Sequence, residues 1–209
     1  RLMKPRRKFI DGAAASLLSE EEAASIFDDW EEFARYGFNK AHAAEYGVIA
    51  VQTAYLKAHF PLEYATALLT AEKNDTARVA TYVADARRAG IQILPPDINY
   101  SQSDFSIEDL DQDQSGIRFG LSAVKNVGNG PVKELLKGRS EGENFADLDD
   151  LCSRVDLRLV GKRALESLTK VGALDSFGTR GQLLSSADQM VSVSSSIHQA
   201  AEAGQMTMF

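Results

Sequence analysis

One cysteine in 209 residues, Cys152, leaves nothing to pair within the chain and fits a reducing compartment, the cytoplasm. Its setting, Leu148-Asp149-Asp150-Leu151-Cys152, is apolar at helical spacing, so a small buried hydrophobe is expected rather than a nucleophile. No apolar run approaches the about 18 residues of a membrane helix and no secretory signal opens the chain, so no membrane partner is expected. Positive charge is also short: the net charge is −7, which argues against a surface that is basic throughout. Paired carboxylates on rigid elements are missing as well. Asp109, Asp111 and Asp113 alternate like metal ligands, but Gln114 stands where a calcium loop needs glycine and Gly120 where it needs glutamate. They read as a solvated turn. His198 has no Cys, His or acid at metal spacing and receives no role.

What is present is an ordinary globular balance, 44% hydrophobic and 25% charged, with its bases gathered in short stretches. Arg1, Lys4, Arg6, Arg7 and Lys8 come without an acid, and could touch DNA in a longer protein; residues 19–32 then hold seven acids and no base. Five bases face the single acid Glu134 between Arg118 and Arg139, and five more face Asp156 and Glu166 between Arg154 and Lys170. Such islands in an acidic chain suggest local phosphate contacts. The opening arginine and the closing Met-Thr-Met-Phe suggest a piece of a longer polypeptide.

Local signals predict mostly helices. Ser19 with Glu22 forms a capping box, followed by an apolar stripe of Ala23, Ile26, Phe27, Trp30, Phe33 and Ala34, whose tryptophan is expected in the core. A long helix to about Ala58 begins near Asn39, a good N-cap, after a sharp entry that Gly37 permits. Its apolar face carries Ala41, Ala44, Val48, Val51, Tyr55 and Ala58. Pro61 starts another helix to about Leu69, and Thr76–Ala89 a further one closed by Gly90. Residues 91–94, 105–107 and 117–119 are short strands, with a polar loop from Glu108 to Gly116. Leu159–Val171 reads as one helix ended by Gly172. From Gly181 the chain loses aromatics and gains serine, leaving a long polar helix and partial disorder both open.

Two stretches carry chemistry. In Tyr36-Gly37-Phe38-Asn39-Lys40-Ala41-His42, Lys40 and His42 fall in the first turn of a helix, where free amides and the positive end of the helix dipole suit a phosphate. In Val124-Lys125-Asn126-Val127-Gly128-Asn129-Gly130-Pro131-Val132, a glycine turn leads into a helix whose amides can bond phosphate oxygens. Here Gly128 and Gly130 are expected to allow positive φ and close approach, and Pro131 to take the first helical position. Val127 anchors the turn in the core, while Lys125 and Lys133 add charge. This pattern resembles a helix-hairpin-helix motif, with Asn126 where glycine is frequent. A second, degenerate unit around Lys162 and Arg163 is assigned mainly to packing, with those two bases as further DNA candidates.

The first stretch resembles the fingers motif of the family of bacterial replicative polymerases, DNA polymerase III alpha, usually Phe-Asn-Lys-Ser-His; Ala41 replaces the serine, so its hydroxyl contact is absent. The likeness continues in order through Gln52-Thr53-Ala54-Tyr55-Leu56-Lys57-Ala58-His59-Phe60-Pro61, then Ile93-Leu94-Pro95-Pro96-Asp97-Ile98-Asn99. It goes on through Gly120-Leu121-Ser122-Ala123-Val124-Lys125-Asn126-Val127-Gly128 and Arg163-Ala164-Leu165-Glu166-Ser167-Leu168, covering nearly the whole chain. The final Gln205-Met206-Thr207-Met208-Phe209 resembles the internal sliding-clamp motif of the same family, with Gln205, Met208 and Phe209 as its anchors.

The resemblance implies a mainly α fold with a small β element, a multi-helix fingers region followed by helix-hairpin-helix units. The expected boundaries are 1–90 for fingers helices, 91–116 for strands and acidic loop, 117–178 for the DNA-binding region and 179–209 for a polar helix or linker ending in the clamp motif. It implies an incoming deoxynucleoside triphosphate at Tyr36, Asn39, Lys40 and His42, and duplex DNA at Lys125, Val127, Gly128, Asn129, Gly130, Lys133, Lys162 and Arg163. Further partners implied are the beta sliding clamp and other replicase subunits, in the cytoplasm near the nucleoid. The catalytic aspartates and their Mg2+ belong to the family's palm, which this chain does not include, so the chain alone is expected to be inactive and to bind no cofactor. The rival reading is a non-catalytic helix-hairpin-helix or clamp-binding module of a repair protein.

Overall fold

The structure, a computed structural model, describes residues 3–14, 18–37, 39–110 and 114–203. The chain divides into two units, Arg1–Tyr55 and Leu56–Phe209. The fold is mainly α with one three-stranded sheet, as expected from the sequence.

In the first unit, helix α1 (Met3–Ala14) packs on α2 (Glu20–Tyr36) through Ile10, Ala13 and Ala23, with the Phe9 ring 5.7 Å from Phe27 and 5.0 Å from Trp30. The Ser19 hydroxyl accepts from the Glu22 amide, and Glu22 reaches back to the Ser19 amide, completing the expected capping box. The α2 stripe is less buried than its spacing predicts: Trp30 is 57% and Phe33 75% exposed. A single short and mostly polar partner helix offers only Phe9, Ile10 and Ala13 to cover it. Two of the bases of α1 are also occupied within the fold. Arg6 donates twice to Asp28 at 3.1 Å, and Arg7 pairs with Asp11 at 3.1 Å.

Helix α3 (Lys40–His59) starts as predicted, the Asn39 side chain accepting from the His42 amide at 3.1 Å. Its expected core face is not a core face here, because no residue of α3 is buried. Tyr46, Val48, Ile49 and Val51 are all exposed. Gly37 uses no special conformation; with φ −63° and ψ −22° it continues the helical backbone of α2.

The second unit opens with α4 (Pro61–Ala71) and α5 (Thr76–Arg88). Asp75 caps α5 by accepting from the amides of Ala77 and Arg78, and Gly90, at φ +82°, turns the chain out of it. Strands β1 (Gln92–Leu94), β2 (Ser106–Leu110) and β3 (Gln114–Arg118) pair in the order β1-β3-β2, parallel then antiparallel, with Ile93 and Ile107 both opposite Ile117. Leu69, Val79, Phe105 and Ile117 form the core beneath. The predicted loop from Glu108 to Gly116 is therefore mostly strand. Cross-strand bonds stabilise it: Arg118 donates to both carboxylate oxygens of Glu108 at 2.7 and 2.6 Å, and Ser115 to Asp109 at 3.0 Å. Asp111 and Asp113 lie outside the described residues.

The Pro95–Asn99 connection ties this sheet to the helical region. Arg118 donates to the Pro95 carbonyl at 2.8 Å, while Asn99 exchanges two hydrogen bonds with the backbone of Phe145. Six helices follow among the described residues: α6 (Asn129–Ser140), α7 (Leu148–Arg154), α8 (Leu157–Val160), α9 (Lys162–Lys170), α10 (Arg180–Ser185) and α11 (Ala187–Glu202). Their common core holds Val127, Leu135, Leu151, Val160, Leu165, Leu168 and Met190. The serine-rich segment is ordered helix in this core. Buried Ser194 of α11 donates to the Val155 carbonyl at 2.8 Å and accepts from the Leu157 amide at 3.0 Å. Cys152 is buried against the Met190 carbonyl of the same helix, as expected, and burial pushes its thiol pKa up to about 11.

Candidate nucleic-acid interface

The first hairpin begins with a 3-10 turn, Leu121–Ala123, rather than a full helix. Buried Val124 and Val127 hold the turn to the core, and the Val127 amide closes it on the Val124 carbonyl at 3.0 Å. Positive φ falls at Asn126, at 68°, and at neither Gly128 nor Gly130. Asparagine tolerates that region, and here its side-chain amide also donates to the Ser167 hydroxyl at 3.3 Å. Gly128 instead caps α6 with extended backbone, φ −81° and ψ 174°. Asn129 and Gly130 then precede Pro131, which is third in α6 and not first as the sequence suggested.

The two glycines adopt ordinary dihedral angles and face open space. A Cβ on Gly130 would meet nothing within 4 Å, and one on Gly128 only the Pro131 Cδ at 4.0 Å. Nothing inside the fold demands glycine there. The surface they leave bare carries backbone amides at the start of a helix, with no acid in its first turn. Lys125 and Lys133 flank it, both exposed and neither in an ion pair among the described residues. Lys125 and Asn126 share a shallow groove with Ser167 and Lys170 of α9. On the other side, Lys73, Asn74 and Thr76 of the α4–α5 corner line a groove with residues Ser122–Gly128.

A second hairpin divides the single helix expected over Leu159–Val171. Gly161, at φ +79° and ψ 143°, separates α8 from α9, and a Cβ there would also meet open space. Asp156 caps α8 by accepting from the Arg158 amide at 3.0 Å. The signal was legible: Val160-Gly161 repeats Val127-Gly128, a buried valine followed by a glycine at a helix start. Lys162 and Arg163 stand in the first turn of α9, both exposed; Lys162 pairs with Asp188 at 2.7 Å.

Several bases counted toward phosphate contact are occupied by the fold. Arg118 is bound to Glu108, a pairing that raises its pKa. Arg139 donates to the carbonyls of Ile98 and Ser101 at 3.1 and 2.7 Å, and burial lowers its pKa. Arg154 donates to the carbonyls of Gly138, Arg139 and Glu143. The bases left exposed at the two open glycine turns, without an ion pair among the described residues, are thus Lys125, Lys133 and Arg163, while Lys162 pairs with Asp188.

In the first unit, Asn39, Lys40 and His42 lie together at the exposed start of α3. The His42 amide is taken by Asn39, and its ring packs edge-on to Tyr46 at 4.4 Å. Of Tyr36 only the backbone, at the end of α2, is described; Phe38, Gln205, Met208 and Phe209 lie outside the described residues. Among the described residues no three His, Cys, Asp or Glu side chains converge to hold a metal ion, and no helix is long and apolar enough to cross a membrane.

Comparison with known proteins matches a helix-hairpin-helix motif to residues 90–183, which takes in both glycine turns. Over its whole length the chain is homologous to proteins named DNA polymerase III subunit alpha. It is 44% identical over 208 residues to that of Thermus aquaticus, covering all of this chain and 17% of the relative. Identity is 40% over 209 residues to that of Vibrio cholerae and 38% over 209 residues to that of Escherichia coli, again over all of this chain and 18% of each relative. The chain spans about a sixth of the length of these relatives.

Proposed function

We propose that the chain is a segment of a bacterial replicative DNA polymerase of the DNA polymerase III alpha type, and that its second unit grips the phosphate backbone of duplex DNA. The observation that carries the reading is the first hairpin: two glycines facing open space over the amides that begin α6, between the unpaired bases Lys125 and Lys133. Backbone amides and lysines touch phosphate without reading bases, which is what an enzyme that traverses every sequence requires. Asn129 completes the turn, and Val127 acts from below by fixing its height on the core. Lys162 and Arg163 supply a second contact at Gly161.

Labelled primer–template duplex titrated by fluorescence anisotropy across a salt series tests this. Each phosphate neutralised adds about 0.9 to the salt slope, so Lys125→Ala with Lys133→Ala should flatten it by about two and weaken binding. Failure of the unaltered chain to bind duplex even at low salt would overturn the reading.

At the start of α3, Lys40 and His42 face the incoming deoxynucleoside triphosphate, with Asn39 and Tyr36 shaping the entrance. The amides of Lys40 and Ala41 remain for a phosphate once Asn39 has taken that of His42. In the full-length polymerase, where Mg2+ and the catalytic aspartates reside outside this segment, Lys40→Ala should raise the nucleotide KM and lower kcat, together costing at least tenfold in kcat/KM. Wild-type values for both would remove Lys40 from the site. The tail anchors Gln205, Met208 and Phe209 are proposed to bind the beta sliding clamp, which links the segment to other replicase subunits. The exposed apolar residues around α3 fit burial within a larger polypeptide.

A further inference from the structure

Among Lys125, Lys133, Lys162 and Arg163, the four bases assigned to the two hairpins, only Lys162 has an ion-pair partner among the described residues. Its Nζ lies 2.7 Å from Asp188 in the first turn of α11, and Glu166 adds a weaker attraction that favours the charged lysine. Both members are largely exposed, with half of the Lys162 side chain and 78% of the Asp188 side chain open to solvent. A pair so exposed contributes little to stability, so the fold gives no strong reason for it. The helix dipole accounts for an acid at the start of α11, but not for its contact with Lys162. That contact holds a carboxylate against the side chain of Lys162, the residue between Gly161 and Arg163.

We propose that Asp188 is a brake on the second hairpin: it competes with DNA phosphate for Lys162 and repels the backbone that would approach Gly161. The inference rests on the reading of the hairpins as phosphate contacts. Lys162 is then a contact held in reserve, and the grip of the segment is set below the maximum its bases allow. A polymerase that must translocate after each addition is served by a weak, sequence-blind contact more than by a tight one.

Duplex binding by the 209-residue chain, across a salt series, gives the test with Asp188→Asn, Lys162→Ala and the double substitution. Asn preserves shape while removing the charge, and thermal unfolding checks that α11 remains packed. The expected result is at least threefold tighter binding by Asp188→Asn, with a salt slope steeper by about one. Combined with Asp188→Asn, Lys162→Ala should erase most of that gain. Unchanged affinity in Asp188→Asn, or a gain that persists undiminished without Lys162, overturns the brake while leaving the DNA-binding reading intact. No duplex binding by the unaltered chain at any salt overturns both.

Discussion

Changing Gly128 and Gly130 together to alanine should weaken duplex binding by at least tenfold at about 0.1 M salt, without lowering the unfolding temperature. The two halves of that expectation have separate causes. Inside the fold each new methyl group meets free space. Alanine is favoured over glycine within a helix by about 0.5–1 kcal/mol, which benefits position 130, while at an N-cap it is slightly worse, which affects position 128. Stability should therefore be nearly level. Outside the fold, each methyl projects into the space a phosphate must enter to reach the amides of α6. Displacing one charge-assisted bond of about 1.5–3 kcal/mol gives a tenfold loss or more. A variant that binds as before shows that the α6 amides do not touch DNA. One that unfolds early shows that the glycines serve packing. Gly120 offers a control of opposite character, since a Cβ there would collide with the backbone of Asp104 and Ser103. Its alanine variant should lose the fold itself.

Features encoded by neighbouring residues were legible before the structure. The Ser19 capping box, the Asn39 cap, Pro61 at the head of α4 and Gly90 after α5 each depend on atoms within a turn of one another. Features that depend on distant partners were not. The strand character of residues 108–110 and 114–116 comes from pairing with each other and, for β3, with β1, which no local propensity announces in so polar a stretch. The serine-rich tail became a core helix because Ala187, Met190 and Ser194 recur on one face, and because Ser194 satisfies both of its bonds in the link between α7 and α8. The α3 stripe failed in the opposite direction. Periodicity marks a face that can be buried, not one that the same stretch of chain buries. At the candidate interface, the hairpin position was legible, whereas its geometry was not: the left-handed residue is Asn126, and the two glycines face open space.

Counting charges misled for a further reason, and Arg154 shows it most sharply. It lies in a basic stretch, yet its guanidinium is folded inward over the Phe145 ring at 4.7 Å, within 3.1 Å of where a Cβ on Gly142 would be. From there it bonds Asp150 and the carbonyls of Gly138, Arg139 and Glu143, at and just beyond the end of α6, where helix carbonyls lack internal partners. A cation at a helix C-terminus also opposes the negative end of the dipole. Arg154→Met retains the stem but strands these acceptors and leaves Asp150 uncompensated. A loss of about 3 kcal/mol is expected from partly buried groups of this kind. For a domain of this size that corresponds to a fall of about 6–12 °C in unfolding temperature. Lysine should rescue little, since one ammonium cannot span the fork that a guanidinium reaches. At low temperature, where the variant is still folded, its salt slope for duplex DNA should equal that of the unaltered chain. Flattening by about one, with normal stability, would instead make Arg154 a phosphate contact. The same measurement then separates two populations of base in this region, arginines such as Arg139 and Arg154 that complete the backbone bonding of the fold and bases left exposed at the turns.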